Sequence, residues 1–185
     1  MKSNHTLLPS YLDDSLISEI LSIGEKQPWR AGMVGSDGFG THNTGIRSVD
    51  LINIDAYYHP QLYNILKHAI EVFNVTTDRN YSITGINQID LLHYKSGGHY
   101  DFHKDIGEGN SQHERKVSCI AQLSDPDDYE GGDFVLAGED ISIDEKAVRR
   151  RQGTLILFDS RSSHQITPIT KGERYSLIAW GVGRV

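Results

Sequence analysis

The chain has 185 residues, 37% of them hydrophobic, with a formal charge of −7, 18 Gly, 5 Pro and one Cys. This length supports one domain with a substantial core, and no Pro/Ser-rich linker, repeat or low-complexity tract divides it. The acidic balance argues against nucleic acid as a non-specific partner, because neutralising phosphates takes clustered Lys and Arg, and Cys119 alone supports neither an intramolecular disulfide nor a thiolate zinc site.

The opening stretch, MKSNHTLLPSYLDDSLISEIL, lacks the continuous apolar run of a signal peptide, and no later stretch approaches the length of a membrane span. With the lone cysteine, this reads as a cytoplasmic protein without a membrane partner. Leu12, Leu16, Ile20 and Ile23 recur at helical spacing, with Asp13 and Asp14 in the first turn, so a helix is expected from Pro9 to about Gly24. The segment AGMVGSDGFGTHNTG, Ala31 to Gly45, holds five glycines in fifteen residues and matches no phosphate-binding fingerprint. It reads as a surface loop, with a lid as the functional alternative. Leu62, Ile65, Leu66, Ala69 and Val72 or Phe73 predict a second helix over His59 to Phe73.

From Tyr81 the pattern changes to short strands punctuated by Gly, Asp and Ser: GINQIDLLHY, HYDFHKD, KVSCIAQLS, GDFVLAG, AVRRR, GTLILFD, HQITPI and RYSLIAWGV. The run Arg149-Arg150-Arg151 reads as solvated. A mainly β protein with supporting helices (α+β) is expected, as a small barrel or double-sheet jelly roll whose mouth can hold a ligand. Residues 1–80 would be mostly helical support and the Gly-rich loop; residues 81–185 would form the barrel.

Within HYDFHKD, residues two apart share a face of a strand, which groups His99, Asp101, His103 and Asp105 without choosing among them. His103 and Asp105 could be two-thirds of a metal site, or an accidental loop pair. His164 lies 61 residues after His103, beyond the apolar TLILF and the turn DSRSS. It is a candidate third ligand or a surface histidine. Two histidines and one carboxylate with open positions form the facial triad of non-haem iron oxygenases.

Arg174 opens RYSLIAWG, and alternation puts it on one face with Ser176, Ile178 and Trp180. Buried there it would need an anionic partner, for which its fork suits a carboxylate; at a strand end it could simply be solvated. Tyr94 shares a face with Leu92, Asp90 and Gln88, as a pocket donor or a core tyrosine. His93 should face away, His113 reads as a turn residue in GEGNSQHERK, and Arg161 is a candidate substrate contact at the mouth.

These residues resemble, as an ordered set, the iron(II)- and 2-oxoglutarate-dependent dioxygenases, in particular the prolyl 4-hydroxylase-like branch. YKSGGHYDFHKD resembles that branch's Y-x-x-G-x-x-Y-x-x-H-x-D block through Tyr94, Gly97, Tyr100, His103 and Asp105. RKVSCIAQLSDPDDYEGGDF resembles the strand pair that follows, and HQITPITKGERYSLIAW the distal block, with His164, Pro168, Gly172, Arg174 and Ser176 in register. The resemblance covers roughly Asn87 to Gly183.

The resemblance implies a double-stranded β-helix with Fe(II) held by His103, Asp105 and His164. Arg174 would hold the distal carboxylate of the cosubstrate 2-oxoglutarate, with Tyr94 and Ser176 assisting and Trp180, Ile120 and Ser118 lining the pocket. Gln122 stands where relatives often place a tyrosine that also reaches that carboxylate. The implied reaction consumes dioxygen and couples decarboxylation of 2-oxoglutarate to C–H hydroxylation, with ascorbate a candidate reductant and the intact Asp105 favouring hydroxylation over halogenation. A prolyl residue of a peptide or protein is the expected substrate. The alternatives are a free amino acid or small metabolite, a cupin-type metalloenzyme recruiting His99, and a catalytically silent binding module.

Overall fold

A computed structural model describes residues 5–34, 40–107 and 112–184. The N-terminal segment supplies more than helices. It contributes β1 (His5–Leu8), α1 (Asp14–Lys26), β2 (Arg30–Ala31), β3 (Arg47–Ser48), β4 (Asp50–Asn53) and α2 (Pro60–Thr76). There follow β5 (Ser82–Tyr94), β6 (His99–His103), β7 (Arg115–Gln122), β8 (Tyr129–Gly131), β9 (Phe134–Leu136), α3 (Ile143–Arg150), β10 (Leu155–Asp159), β11 (His164–Ile166), β12 (Ile169–Gly172) and β13 (Arg174–Arg184).

Seven strands form a major sheet in the order β1-β10-β7-β13-β5-β4-β2, and four form a minor sheet in the order β3-β6-β11-β9. β8 and β12 pair separately, and every pairing is antiparallel. Alternation divides the buried residues into two cores. On β13, Leu177 and Ala179 join Leu16 and Ile20 of α1 and Leu66, Ile70 and Phe73 of α2 on the outer face of the major sheet. Ile178 and Trp180, one residue out of phase, pack with Leu92, Tyr94, Ile120, Phe134 and Phe158 inside the jelly roll. The expected mainly β double-sheet architecture is thus present, with α1 and α2 as buttresses.

α1 starts later than its periodicity suggests because Asp13 caps it, accepting from the Leu16 N–H at 2.8 Å. AVRRR is not a strand. Ser142 accepts from the Glu145 N–H at 3.1 Å, and acidic residues in the first turn with Arg149 and Arg150 in the last suit a helix dipole, so the segment forms α3. The basic run is not simply solvated either. Arg149 is buried, with Nη2 2.6 Å from Glu139 and 2.7 Å from Glu145, and Arg150 bonds Asp133 at 2.9 Å. HQITPI divides around Pro168, so β11 and β12 lie in different sheets.

Part of the Gly-rich segment, residues 35–39, lies outside the described residues; on its flanks Val34 and Thr41 exchange backbone hydrogen bonds at 2.9 and 2.7 Å. Residues 108–111 are also outside the description, and Gln112–Glu114, which include His113, form a short 3-10 turn. Gly132, at φ +63°, holds the chain against the site: an added Cβ would lie 2.3 Å from Ile169 and 3.2 Å from the Arg174 Cδ. Among the described residues no helix is long and apolar enough to cross a membrane.

Candidate active site

Pairing of β11 with β6 sets His164 directly opposite His103 on the inner face of the minor sheet. The register then shifts, so that Ile166 faces Tyr100. This bulge breaks the two-residue period: Tyr100 and His103 are partly buried while Asp101 and Phe102 between them are exposed. β6 ends at His103, and Asp105 is turned inward from beyond the strand, its N–H donating to the Ser160 carbonyl at 3.1 Å.

Ligand atoms of His103, Asp105 and His164 all lie within 4.8 Å of one another. The Asp105 carboxylate sits between the imidazoles, Oδ1 3.6 Å from His103 Nε2 and Oδ2 3.7 Å from His164 Nε2. Each Nδ1 faces a backbone carbonyl, that of Asp101 at 2.7 Å for His103 and that of Ser162 at 3.0 Å for His164. Donation from Nδ1 directs the Nε2 lone pairs at one point. Tyr100 stacks on His103 at 3.5 Å, and Phe158 meets His164 edge-on at 4.6 Å.

Burial pushes the Asp105 carboxyl up, but the two imidazoles and the Ser118 hydroxyl outweigh it and hold it well below the usual carboxylate range. Burial disfavours charge on the His164 ring and lowers its pKa, against the pull of the Asp105 carboxylate. A carboxylate beside a neutral imidazole is the protonation state a metal ion requires. The donor set, two nitrogens and one oxygen on one side, suits iron(II) with open positions.

Ser118 is not among the residues lining the pocket; it stands behind Asp105. Its hydroxyl donates to Asp105 Oδ2 at 2.6 Å and lies 2.9 Å from the Ser160 hydroxyl. Ser118→Ala should lower metal affinity by about 10- to 100-fold, the usual loss for a partner that orients a ligand. A metal titration giving wild-type affinity would show the bond to be incidental.

Behind these residues runs a pocket between the sheets, lined by Tyr94, Ile120, Arg174, Ser176, Ile178 and Trp180 among others. Arg174 stands opposite Tyr94 in the β13–β5 register and is 0% exposed. Its Nε and Nη2 donate to Gln122 Oε1 at 3.2 and 2.8 Å, while Nη1 has no partner among the described residues. Its guanidinium carbon is 5.3 Å from the centre of the Tyr94 ring. A buried cation held by a neutral amide and lacking a carboxylate is costly, and an anion entering the pocket would compensate it. Gln122 does not line this pocket; it reaches it through Arg174.

Other candidates are placed elsewhere. His99 Nδ1 lies 3.0 Å from the Gly97 carbonyl and the Asp101 side chain is exposed, so the centre receives neither. His93 faces away as expected, stacked on Tyr175 at 4.2 Å and bonded to Glu173 at 2.7 Å. Arg161 pairs with Asp159 at 2.8 Å and Tyr81 at 2.6 Å instead of lining the mouth. Burial raises the Asp159 carboxyl, but the bonds from Arg161 and Tyr81 prevail and bring it down to about 2. A depressed carboxyl stabilises the fold fully above its unfolded value near pH 4 and loses that contribution as pH falls towards about 2. Asp159→Asn should therefore flatten the acid limb of stability between those values in urea melts.

Sequence reasoning passed over Arg47 and Arg115. The Arg47 guanidinium lies 4.7 Å from the Tyr100 ring centre, and that of Arg115 lies 3.7 Å from the Trp180 ring centre. Arg115 also donates to the Asp105 carbonyl at 3.3 Å. Strict alternation along β7 groups Arg115 with Val117 and Cys119 of the outer core; a register shift against β13 breaks that phase.

Comparison with known proteins agrees with this geometry. The model of the 2OG-Fe(II) oxygenase superfamily matches residues 89–181. A PKHD-type hydroxylase of Janthinobacterium sp. (strain Marseille) is 37% identical over 92 residues, covering 47% of this chain and 39% of that protein. One from Nitrosomonas europaea is 27% identical over 179 residues, covering 88% and 73%. The chain thus spans only about two-fifths of the first of these relatives. A Trichoplax adhaerens prolyl hydroxylase, solved with a hypoxia inducible factor peptide fragment, superposes with a TM-score of 0.76 at 20% identity, covering 97% of this chain and 84% of that one. A Pseudomonas putida prolyl-4-hydroxylase does so at 0.71 and 18%, covering 98% and 94%. With the family model spanning half of the sequence, from the middle of β5 to the middle of β13, the chain belongs to the 2OG-Fe(II) oxygenase superfamily.

Proposed function

We propose that the protein is an Fe(II)- and 2-oxoglutarate-dependent hydroxylase acting on a prolyl residue of a peptide or protein. The observation that carries this reading is the shared pocket: three convergent ligand atoms at one end and, at the other, a buried arginine with an unpartnered N–H. His103, Asp105 and His164 would hold the iron. Arg174, fixed by Gln122, would take the far carboxylate of 2-oxoglutarate, with Tyr94 and Ser176 beside it. Bound together, iron and keto acid supply the activation of dioxygen that C–H hydroxylation needs.

The residues of this chain then bind, orient and exclude water. The β11–β6 register fixes both imidazoles, Ser118 fixes one carboxylate oxygen, and Ile120, Ile178 and Trp180 keep the pocket apolar. The prolyl substrate is supported by the PKHD-type and prolyl hydroxylase relatives. The cupin-type alternative loses its extra ligand, because His99 is directed to backbone carbonyls. The test is mass spectrometry for the gain of one oxygen atom. Prolyl peptides, free amino acids and small metabolites are incubated with iron, ascorbate and 2-oxoglutarate. Oxygen gain on prolyl peptides supports the reading; gain confined to small molecules transfers it to the metabolite alternative, and no 2-oxoglutarate turnover under any condition refutes it.

A further inference from the structure

The metal corner opens into a cleft of about 710 Å³ whose walls include Arg30, Arg47, Lys104 and Arg115 alongside His103 and Asp105. Among the described residues none of these four cations has a carboxylate within ion-pair distance. Arg47 Nη1 donates only to the Met33 carbonyl, and Arg115 to the Asp105 carbonyl and Gln88 Oε1. The cleft's two carboxylates act on Arg30, Arg47 and Arg115 through space, but neither forms an ion pair with them. Asp105 belongs to the metal corner, and Asp90 accepts from Asn53 at 3.1 Å and Gln88 at 2.7 Å.

A protein of formal charge −7 therefore presents a cationic wall at the approach to its reaction centre. Converging positive groups in a low-dielectric cleft focus field and steer anions. Arg47 and Arg115 are also held rigidly, stacked on Tyr100 and Trp180 respectively. Tyr100 stacks in turn on His103, so Arg47 stands one ring away from the metal corner. The same cleft exposes the apolar side chains of Met33 and Ile46. The wall thus suits an apolar residue with an anionic neighbour.

We infer that the substrate carries a carboxylate next to the residue that is oxidised, and that Arg47 and Arg115 bind it. Resting on the hydroxylase reading, this names the substrate class as an acidic peptide segment. The carboxylate can come from an Asp or Glu side chain or from a chain end. The discriminating residue is Arg47, which lines the cleft, also borders the inner pocket and is not one of the metal ligands, so 2-oxoglutarate loading of each Arg47 variant is verified before peptide is added.

The test uses fluorescein-labelled prolyl peptides that differ only in a flanking Glu, Gln or Lys, all C-terminally amidated. A fourth peptide carries Gln and a free terminal carboxylate next to proline. Binding to protein loaded anaerobically with Fe(II) and 2-oxoglutarate is read by fluorescence polarisation. The Glu peptide should bind at least about tenfold more tightly than the Lys peptide and weaken with added salt. Arg47→Glu should reverse that order and Arg47→Gln should flatten it. Preference for the fourth peptide alone assigns the anion to a chain end. Equal binding of all four, or an order that survives Arg47→Glu, overturns the inference. Oxygen gain is measured separately in air: charge-ordered binding without it would refute prolyl hydroxylation but not the anion site, and oxygen gain without charge order would do the reverse.

Discussion

Asp105→Ala is expected to remove metal-dependent 2-oxoglutarate turnover and to weaken metal binding by more than the 10- to 100-fold typical of orienting partners. The carboxylate is the only oxygen donor of the three, and its oxygens sit 3.6 and 3.7 Å from the two imidazole Nε2 atoms. Without it two imidazole nitrogens remain, a set that lacks both the anionic charge and the facial geometry iron(II) requires. The fold should survive. Asp105 is anchored by its backbone to Ser160, and neither core depends on its side chain. The measurements are iron content, 2-oxoglutarate turnover and a thermal melt of the metal-free protein. Wild-type iron content with wild-type turnover would refute the assignment.

Replacing Arg174 by Met should leave iron binding in place and raise the KM for 2-oxoglutarate. Removing one member of a buried charge pair costs about 2–5 kcal/mol, or roughly thirtyfold to several thousandfold. Methionine keeps the bulk of the side chain but offers no N–H to the cosubstrate, and Gln122 Oε1 loses its donor. The clearest readout is linkage: ligand at a hundred times its Kd stabilises the native state by about 2.7 kcal/mol. Wild-type protein should show that thermal shift with 2-oxoglutarate and the variant should not. An undiminished shift in the variant would place the cosubstrate carboxylate elsewhere.

Much of this arrangement is legible in the sequence where local periodicity holds. The alternation of Arg174, Ser176, Ile178 and Trp180 put them on one face, and they do line one pocket. The spacing of Leu62, Leu66, Ala69 and Phe73 marked the buried stripe of α2. Reading failed where a cap or a bulge overrides the period. Ser142 turned AVRRR into the end of a helix, and the shift in β6 separated Asp101 from His103. Short edge strands such as β2 and β3 carry too few residues to show alternation at all.

The residues themselves therefore determined which chemistry is available: two histidines, one carboxylate and one arginine, on segments whose character suits a jelly roll. Strand parity alone left Asp101 and His99 beside Asp105, and the family resemblance selected Asp105; the physical reason lies in the bulge and the turn beyond β6 that aim one carboxylate between two imidazoles. The cationic cleft was likewise a product of tertiary structure. Arg30, Arg47, Lys104 and Arg115 are scattered through the sequence, and only the packing of both sheets brings their four charges onto one wall, where the two carboxylates Asp90 and Asp105 are outnumbered. Electrostatic fields depend on distances in space, and a sequence lists neighbours along the chain.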